Sequence, residues 1–385
     1  MTYAEWKEFL ARFTAVHELA DGGARVAVCP NWQGRVMTST CGGPAGPSFG
    51  FINRQFIEAG QPDPRLNNYG GEERLWLSPE GGPFSLWFAP GEEQVFDNWY
   101  TQAMLNEGAW PAVEADAQQV AMHVDIEFRN TASTQFQMTI DRTVRLLQPD
   151  DYKPLFGDAT AQRIADSRLD GVGYETSNRL TNRDGPLRRA DGLVSMWILG
   201  MMNAGERTVV IVPYRPGSEE ELGPVVKSDY FGPIPSDRLI VTPEAVLLKA
   251  DAHHRGKLGI SSHRASPVAG SMDFETGVLT LVHFSLPENP KEALYLNNQW
   301  GAQDDPFTGD ATNAYNDGPN ETGSQLGAFY EIESLSPAAE LAAGQSLEHC
   351  HRTIHLQGDA GDLDAIARDV LGVDLKEVRA AMFAS

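Results

Sequence analysis

Two acidic side chains offer themselves as acid–base groups. Residues 328–335 (AFYEIESL) alternate as a strand does, so Phe329, Glu331, Glu333 and Leu335 share one face. Carboxylates beside large apolar side chains are partly desolvated, which raises their pKa and suits them to proton transfer. On a wet sheet face the same pair would do nothing. A second run, 347–356, sets Leu347, His349, His351, Thr353 and His355 on one face, and Pro337 and Gly344 separate the two runs into two strands. Upstream, Arg74, Trp76 and Ser78 alternate on one face of a strand that follows Gly70 and Gly71. Glycines there let backbone approach a ligand closely. A guanidinium donates a fork of hydrogen bonds to ring or hydroxyl oxygens, and an indole stacks on the C–H face of a sugar. The structural reading of Arg74 is an ion pair with Glu72, Glu73 or Glu80.

Other groups are open to more than one reading. Asn298 and Trp300 lead into residues 301–325, which hold Asp304, Asp305, Asp310, Asn313, Asp317, Asn320 and Glu321. This stretch reads as a sugar-binding rim, as a calcium site without EF-hand spacing, or as ordinary turn chemistry. His283 lies in a strand over 276–286 and shares a face with Leu279 and Leu281. A lone strand histidine is either a hydrogen-bonded core residue or a proton donor. The series His349, His351, His355 has no carboxylate or cysteine pattern to complete a metal site, so it is read as structural. No metal and no cofactor is expected. Nucleotide-binding (GxGxxG, Walker), zincin (HExxH) and serine-hydrolase (GxSxG) readings are not expected.

The elements that must position these groups are mostly strands. Apolar spacing predicts a helix over 2–13 and strands over 25–30, 35–40, 119–128, 135–147, 193–200 and 208–213. The turn 79–83 leads into a run over 84–88, and a short helix falls within 150–170. Further strands are predicted over 238–242, 245–249, 257–261 and 276–286, and helices over 362–371 and 376–383. Residues 216–235 and 301–325 read as loops. The expected organisation is an N-terminal helix (1–19) packed on the body, one β-sandwich (20–358), and C-terminal helices (359–385) closing the sandwich.

Composition narrows the function classes. Apolar residues make up 41% of 385, enough for a sizeable core. With 53 acidic against 30 basic residues the formal net charge is −23, which repels nucleic acid and anionic membranes and suits small neutral or cationic ligands. Three cysteines without CxxC spacing suggest free thiols. The N-terminus is an amphipathic helix rather than a signal peptide, and no run approaches the length of a membrane span. A cytoplasmic protein, monomer or homodimer, is expected.

Two segments resemble the galactose mutarotase (aldose 1-epimerase) superfamily: Gly70-Gly-x-x-Arg-x-Trp-x-x-Pro-Glu80, and Tyr315-Asn-Asp-Gly318 followed by Tyr330-Glu-Ile-Glu-Ser-x-Ser-Pro337. The resemblance implies a twisted β-sandwich (a supersandwich) with short terminal helices. It implies a small sugar as substrate and anomer interconversion by acid–base catalysis. It makes Glu333 the base, with Glu331 in reserve, and Arg74 a sugar contact. Trp76, Asn298, Trp300, Asp317, Glu331 and Trp197 become substrate-binding candidates. The run containing Trp197 corresponds to the one that carries the family's general acid, a histidine, which is missing here. The acid is therefore sought first at His283, then at His349 and His351. Other activities on the same scaffold, a lyase or hydrolase for a modified sugar, and non-catalytic sugar binding remain alternatives.

Overall fold

The structure, a computed structural model, describes residues 1–320 and 322–383; Glu321 of the acidic stretch lies outside the described residues. The first strands in the chain are β1 (His17–Asp21), β2 (Ala24–Cys29), β3 (Arg35–Thr40), β4 (Arg74–Ser78), β5 (Ala112–Ala115) and β6 (Gln119–Arg129). Next come β7 (Gln135–Leu146), β8 (Asp170–Asn182), β9 (Ser195–Asn203), β10 (Thr208–Pro213), β11 (Leu239–Val241) and β12 (Ala245–Lys249). The last are β13 (Gly256–Ser261), β14 (Val268–Asp273), β15 (Val278–Phe284), β16 (Asp310–Asn316), β17 (Phe329–Leu335) and β18 (Ser346–Gln357).

They form a ten-stranded sheet, β11-β12-β10-β14-β15-β18-β8-β7-β6-β5, a five-stranded sheet, β13-β16-β17-β9-β4, and a three-stranded sheet, β1-β2-β3. A bridge between Val36 and Glu73 sets β3 alongside β4, at the edge of the five-stranded sheet. The two larger sheets pack face to face. Ile198, Leu258, Ala314 and Ile332 of one meet Ile140, Val144, Val210, Val282 and Phe284 of the other in one buried core.

The large sheet buries its second face as well. Val209, Ile211, Leu279, Leu281, Ile354 and Leu356 pack under helices Ala360–Leu371 and Leu375–Met382. These C-terminal helices therefore cover a sheet face, where the sequence reading had them closing the end of the sandwich. Their caps are Asp359 and Asp374, whose carboxylates accept from backbone N–H groups of the first turn. At the other terminus, helix Tyr3–Ala11 begins with a Thr2/Glu5 capping box and packs Phe9 and Leu10 on Trp32, Met37 and Ile52.

Two further expectations are corrected. The stretch 301–325 read as loop contains β16, central between β13 and β17, with all seven residues buried. Its sequence, Asp-Ala-Thr-Asn-Ala-Tyr-Asn, has no apolar period, so pairing on both sides decides its conformation. Residues 84–88 form no strand. Ser85 Oγ donates to Glu80 O and Leu86 N to Pro79 O, which curls the segment so that Trp87 packs on Trp76 and Trp99.

Candidate functional site

Register determines which side chains meet. Across the five-stranded sheet Arg74 lies opposite Leu199, Leu199 opposite Glu333, and Glu333 opposite Asn313. One step along, Met201, Glu331, Tyr315 and Lys257 form the next row. Side chains two apart on a strand share a face. Arg74, Trp76, Trp197, Glu331, Glu333, Asn313 and Lys257 therefore converge on the face turned away from the large sheet.

The contacts are those of a dense ionic cluster. Glu333, with none of its surface exposed, accepts from Lys257 Nζ at 2.9 Å and from Trp197 Nε1 at 2.8 Å, both on Oε2. Its Oε1 has no partner. Arg74 Nη2 donates to Glu331 Oε1 at 3.0 Å, and the guanidinium lies 4.1 Å from the centre of the Trp76 ring. Trp76 meets Trp197 edge to face at 5.7 Å, and Lys257 Nζ sits 4.8 Å from the Trp197 ring. Trp76 Nε1, Arg74 Nε and Asn313 Oδ1 are buried without partners. A buried, unmade hydrogen bond costs about 1–3 kcal/mol, so several on one face mark a place where a polar ligand would find donors and acceptors waiting.

Burial sets the proton affinities. It raises the Glu331 carboxyl to about 7, against the pull of Arg74 and with the push of Glu333. Burial acts to lower Lys257, but the charges of Glu333, Glu80 and Glu331 outweigh it, and the ammonium is held above its ordinary range. Glu80 is raised by burial, opposed by Lys257 and by the donating indole of Trp99 at 3.0 Å. Loops roof the cluster. Lys227 pairs through its backbone with Gly259, and Tyr230 of the same loop donates to Asp310 and lies 5.9 Å from Lys257 Nζ.

The structure gathers five of the sequence candidates directly: Glu331, Glu333, Arg74, Trp76 and Trp197. Three others stand just behind them. Asn298 Oδ1 accepts from Ser78 Oγ and from Glu80 N, bracing the turn that carries Glu80. Trp300 is half-buried, edge-on to Phe88 and beside Glu80. Asp317 accepts from Tyr315 Oη at 2.6 Å and from Gly327 N at 2.8 Å, holding the tyrosine opposite Glu331.

The histidines do not join them. His283 lies on β15 with its side chain on the outer face of the ten-stranded sheet, against Phe156 and 3.3 Å from Arg352 Nη1. The whole sandwich separates it from Glu333, because odd and even positions of β15 face opposite ways. His349 and His351 point between the sheets, each with a ring nitrogen 2.8 Å from Ser334 Oγ. They lie behind β17, while Glu333 lies in front.

Sequence reasoning missed Lys257, Glu80 and Arg35 as members of this face. A lysine directly ahead of the apolar alternation of Leu258 and Ile260 is a readable signal for the first. Gly46-Pro-Ser-Phe-Gly50 matches GxSxG, but it lies in the loop after β3, no helix follows the serine directly, and Ser48 Oγ is 2.5 Å from Thr38 Oγ1. It is not a nucleophile elbow. Among the described residues no group of three or more His, Cys, Asp or Glu side chains could hold a metal ion, and no helix is long and apolar enough to cross a membrane. Two surface cavities, one bordered by Gln137 and Arg188 and one by Tyr152 and Leu356, are not lined by the cluster.

A family model described as a family of unknown function (DUF6786) matches residues 1–382. No curated protein matches the chain. Among solved structures, an Escherichia coli K12 protein provisionally named an aldose 1-epimerase is similar over 89% of this chain and 99% of its own, at 8% identity and a TM-score of 0.51. A galactose mutarotase-like protein from Lactobacillus casei ATCC 334 is similar over 89% of this chain and 100% of its own, at 10% identity and a TM-score of 0.50. At such identities the likeness is one of fold: the chain is a galactose mutarotase-like β-sandwich.

Proposed function

The chain belongs to this family of unknown function, DUF6786, and we propose that it is a carbohydrate-active enzyme of aldose 1-epimerase type. The observation that carries this reading is the pair Glu331 and Glu333 on one buried face, with Glu333 Oε1 unpartnered. Two carboxyls in different surroundings can divide the work of acid and base.

Glu333 takes the proton of the anomeric hydroxyl on its free Oε1. Glu331, protonated, gives its proton to the ring oxygen as the C1–O5 bond breaks. Rotation about C1–C2 turns the free aldehyde over. Reclosure returns the proton from the C5 hydroxyl to Glu331, and Glu333 re-protonates the new anomeric oxygen. Atoms and charge balance, and no redox partner is needed. Lys257 and Trp197 hold Glu333 in place through its other oxygen, and the ammonium offsets negative charge that develops on the sugar. Trp76 offers an unpaired N–H for a hydroxyl.

This division replaces the carboxylate–histidine pair of the mutarotase superfamily with a carboxylate–carboxyl pair. It fits the absence of any histidine hydrogen-bonded to the cluster among the described residues. Saturation-transfer NMR on the anomers of free aldoses tests it. Glu333→Gln is expected to slow exchange by about 10²–10⁴-fold, the usual share of a general base. Undiminished exchange in that variant would remove Glu333 from the mechanism.

A further inference from the structure

Arg35 is a buried cation without a counter-charge. It is 1% exposed, and among the described residues it forms no ion pair. Nη1 donates to Gly70 O at 2.8 Å, the guanidinium lies 5.5 Å from the Tyr69 ring, and Nε has no partner. The bridge between Val36 and Glu73 places Arg35 opposite Arg74, on the same face as Glu331 and Glu333. Like charges directly opposite each other destabilise a sheet, and an unpaired buried charge is more costly still. The nearest carboxylates along the chain do not relieve it. Glu73 is bonded to Arg142, and Glu72 to Ser39 and His355, all in the layer between the sheets. Burial and the neighbouring Arg74 hold Arg35 down to about 9, which registers the same missing partner. Gly71, with φ at 118°, packs directly on this arginine: a Cβ there would stand 3.6 Å from Arg35 Cδ and 3.3 Å from Val36 O.

We propose that Arg35 and Arg74 together form a subsite for the carboxylate of a sugar acid, so that the aldose handled at Glu333 is a hexuronic acid. The proposal rests on the aldose reading above. Three features select a carboxylate. The two guanidiniums offer unpartnered N–H groups, Nε of each, in the planar fork that suits carboxylate oxygens. Arg74 lies 3.0 Å from Glu331, a carboxyl that, whenever it is ionised, opposes a phosphate dianion more than a monoanion. Spacing agrees too. Arg74 and Glu333 are two strands apart, about 10 Å at the backbone, which a pyranose with its C5 carboxylate spans with a hydrogen bond at each end. Arg255, the other cation on this face without an ion pair, is a poorer place. Phe231 caps its guanidinium at 3.9 Å, it donates to Tyr315 Oη at 3.2 Å, and Asp317 is its charge neighbour.

Calorimetric titration of the full chain with glucuronate, glucose, glucose 6-phosphate and inorganic phosphate tests the subsite. Glucuronate should bind at least about tenfold more tightly than glucose, as one charge-assisted pair provides. In Arg35→Gln that preference should fall to about one, with Arg35→Lys in between. Circular dichroism of both variants establishes that they are folded, and glucose titration gives the reference for each. Equal affinity for glucuronate and glucose in the unaltered protein, or a preference that survives in a folded Arg35→Gln, overturns the proposal. So does tighter binding of glucose 6-phosphate or phosphate than of glucuronate. Anomer exchange of glucose without a glucuronate preference would sink the subsite alone. An Arg35-dependent glucuronate preference without any exchange would sink the epimerase reading and leave the subsite standing.

Discussion

Strand β17 separates two polar layers, and the contrast between them shows what makes a buried cluster a site. Behind the strand, between the sheets, Ser334 bridges His349 and His351, Glu72 meets Ser39 and His355, and Arg142 meets Glu73 and Asn178. In front of it lie Glu331, Glu333, Arg74 and Lys257. Both layers are buried. The rear one even contains a hydroxyl–imidazole–carboxylate chain, Thr280 to His355 at 2.9 Å and His355 to Glu72 at 3.1 Å. That is the order of groups in a nucleophilic triad, yet a sheet lies on each side of it and no substrate can arrive. Two of its histidines also answer burial by staying neutral. Burial pushes His349 down to about 3, and His351 well below its usual range. Their unpartnered nitrogens leave only a dipole unsatisfied. The front layer cannot neutralise itself so easily, because guanidinium and ammonium groups keep their charge. It is covered by loops rather than by a sheet. The kind of cover and the residual charge, more than burial, distinguish the two.

The contrast can be broken most severely at Arg142. Arg142→Met leaves the Glu73 carboxylate sealed in the rear layer without its cation, and unfolding in urea should show a loss of about 3–5 kcal/mol. The molecules that still fold should exchange anomers at nearly the unaltered rate. A collapse of exchange in folded protein would mean that the layers act as one unit.

A second measurement sharpens the front layer. As the proposed proton donor, Glu331 must be protonated, and its carboxyl is raised to about 7. Exchange should therefore be highest below that pH and fall about tenfold per unit above it. Glu331→Gln should abolish this alkaline limb along with most of the rate. A limb that persists in the variant assigns the proton to another group. Linkage has the same sign: a carboxyl whose folded pKa exceeds its unfolded value of about 4.3 contributes stability in full below that value. The contribution is lost as pH rises through about 7.

The smallest effect belongs to Thr280→Val. It removes one hydroxyl from His355 in the rear layer and should cost about 1–2 kcal/mol in urea unfolding, with no change in the pH profile of exchange. A shifted profile would connect the rear histidines to the chemistry after all.

Much of the fold was legible because strands with one buried face announce themselves. Alternation in 135–147 marked β7, and the apolar run 208–213 marked β10. β16 was hidden because its small and polar side chains owe their burial to neighbours on both sides rather than to their own hydrophobicity. The pairing of Glu331 and Glu333 on one face followed from a period of two, and Arg74 with Trp76 from the same rule. Lys257 and Arg35 could not be joined to them, since they arrive from other strands far away in the chain, and Glu80, close in sequence to Trp76, is brought in only by the fold of the turn after β4.

Local chemistry, then, was written in the chain itself: which side chains share a strand face and where glycines relax the backbone; the caps of the final helices were not, since Asp359, rather than the Asp362 that the sequence suggested, caps the first of them. Strand order and register were decided only in the folded molecule, because much of the pairing depends on partners distant in the chain. Those pairings put Arg74 beside Glu331 from 257 positions away and Lys257 beside Glu333 from 76. The same pairings turned His349 and His351 to the rear and His283 to the far face. Parity along a strand says only that two residues agree or differ in direction; which direction meets the other sheet is settled by packing.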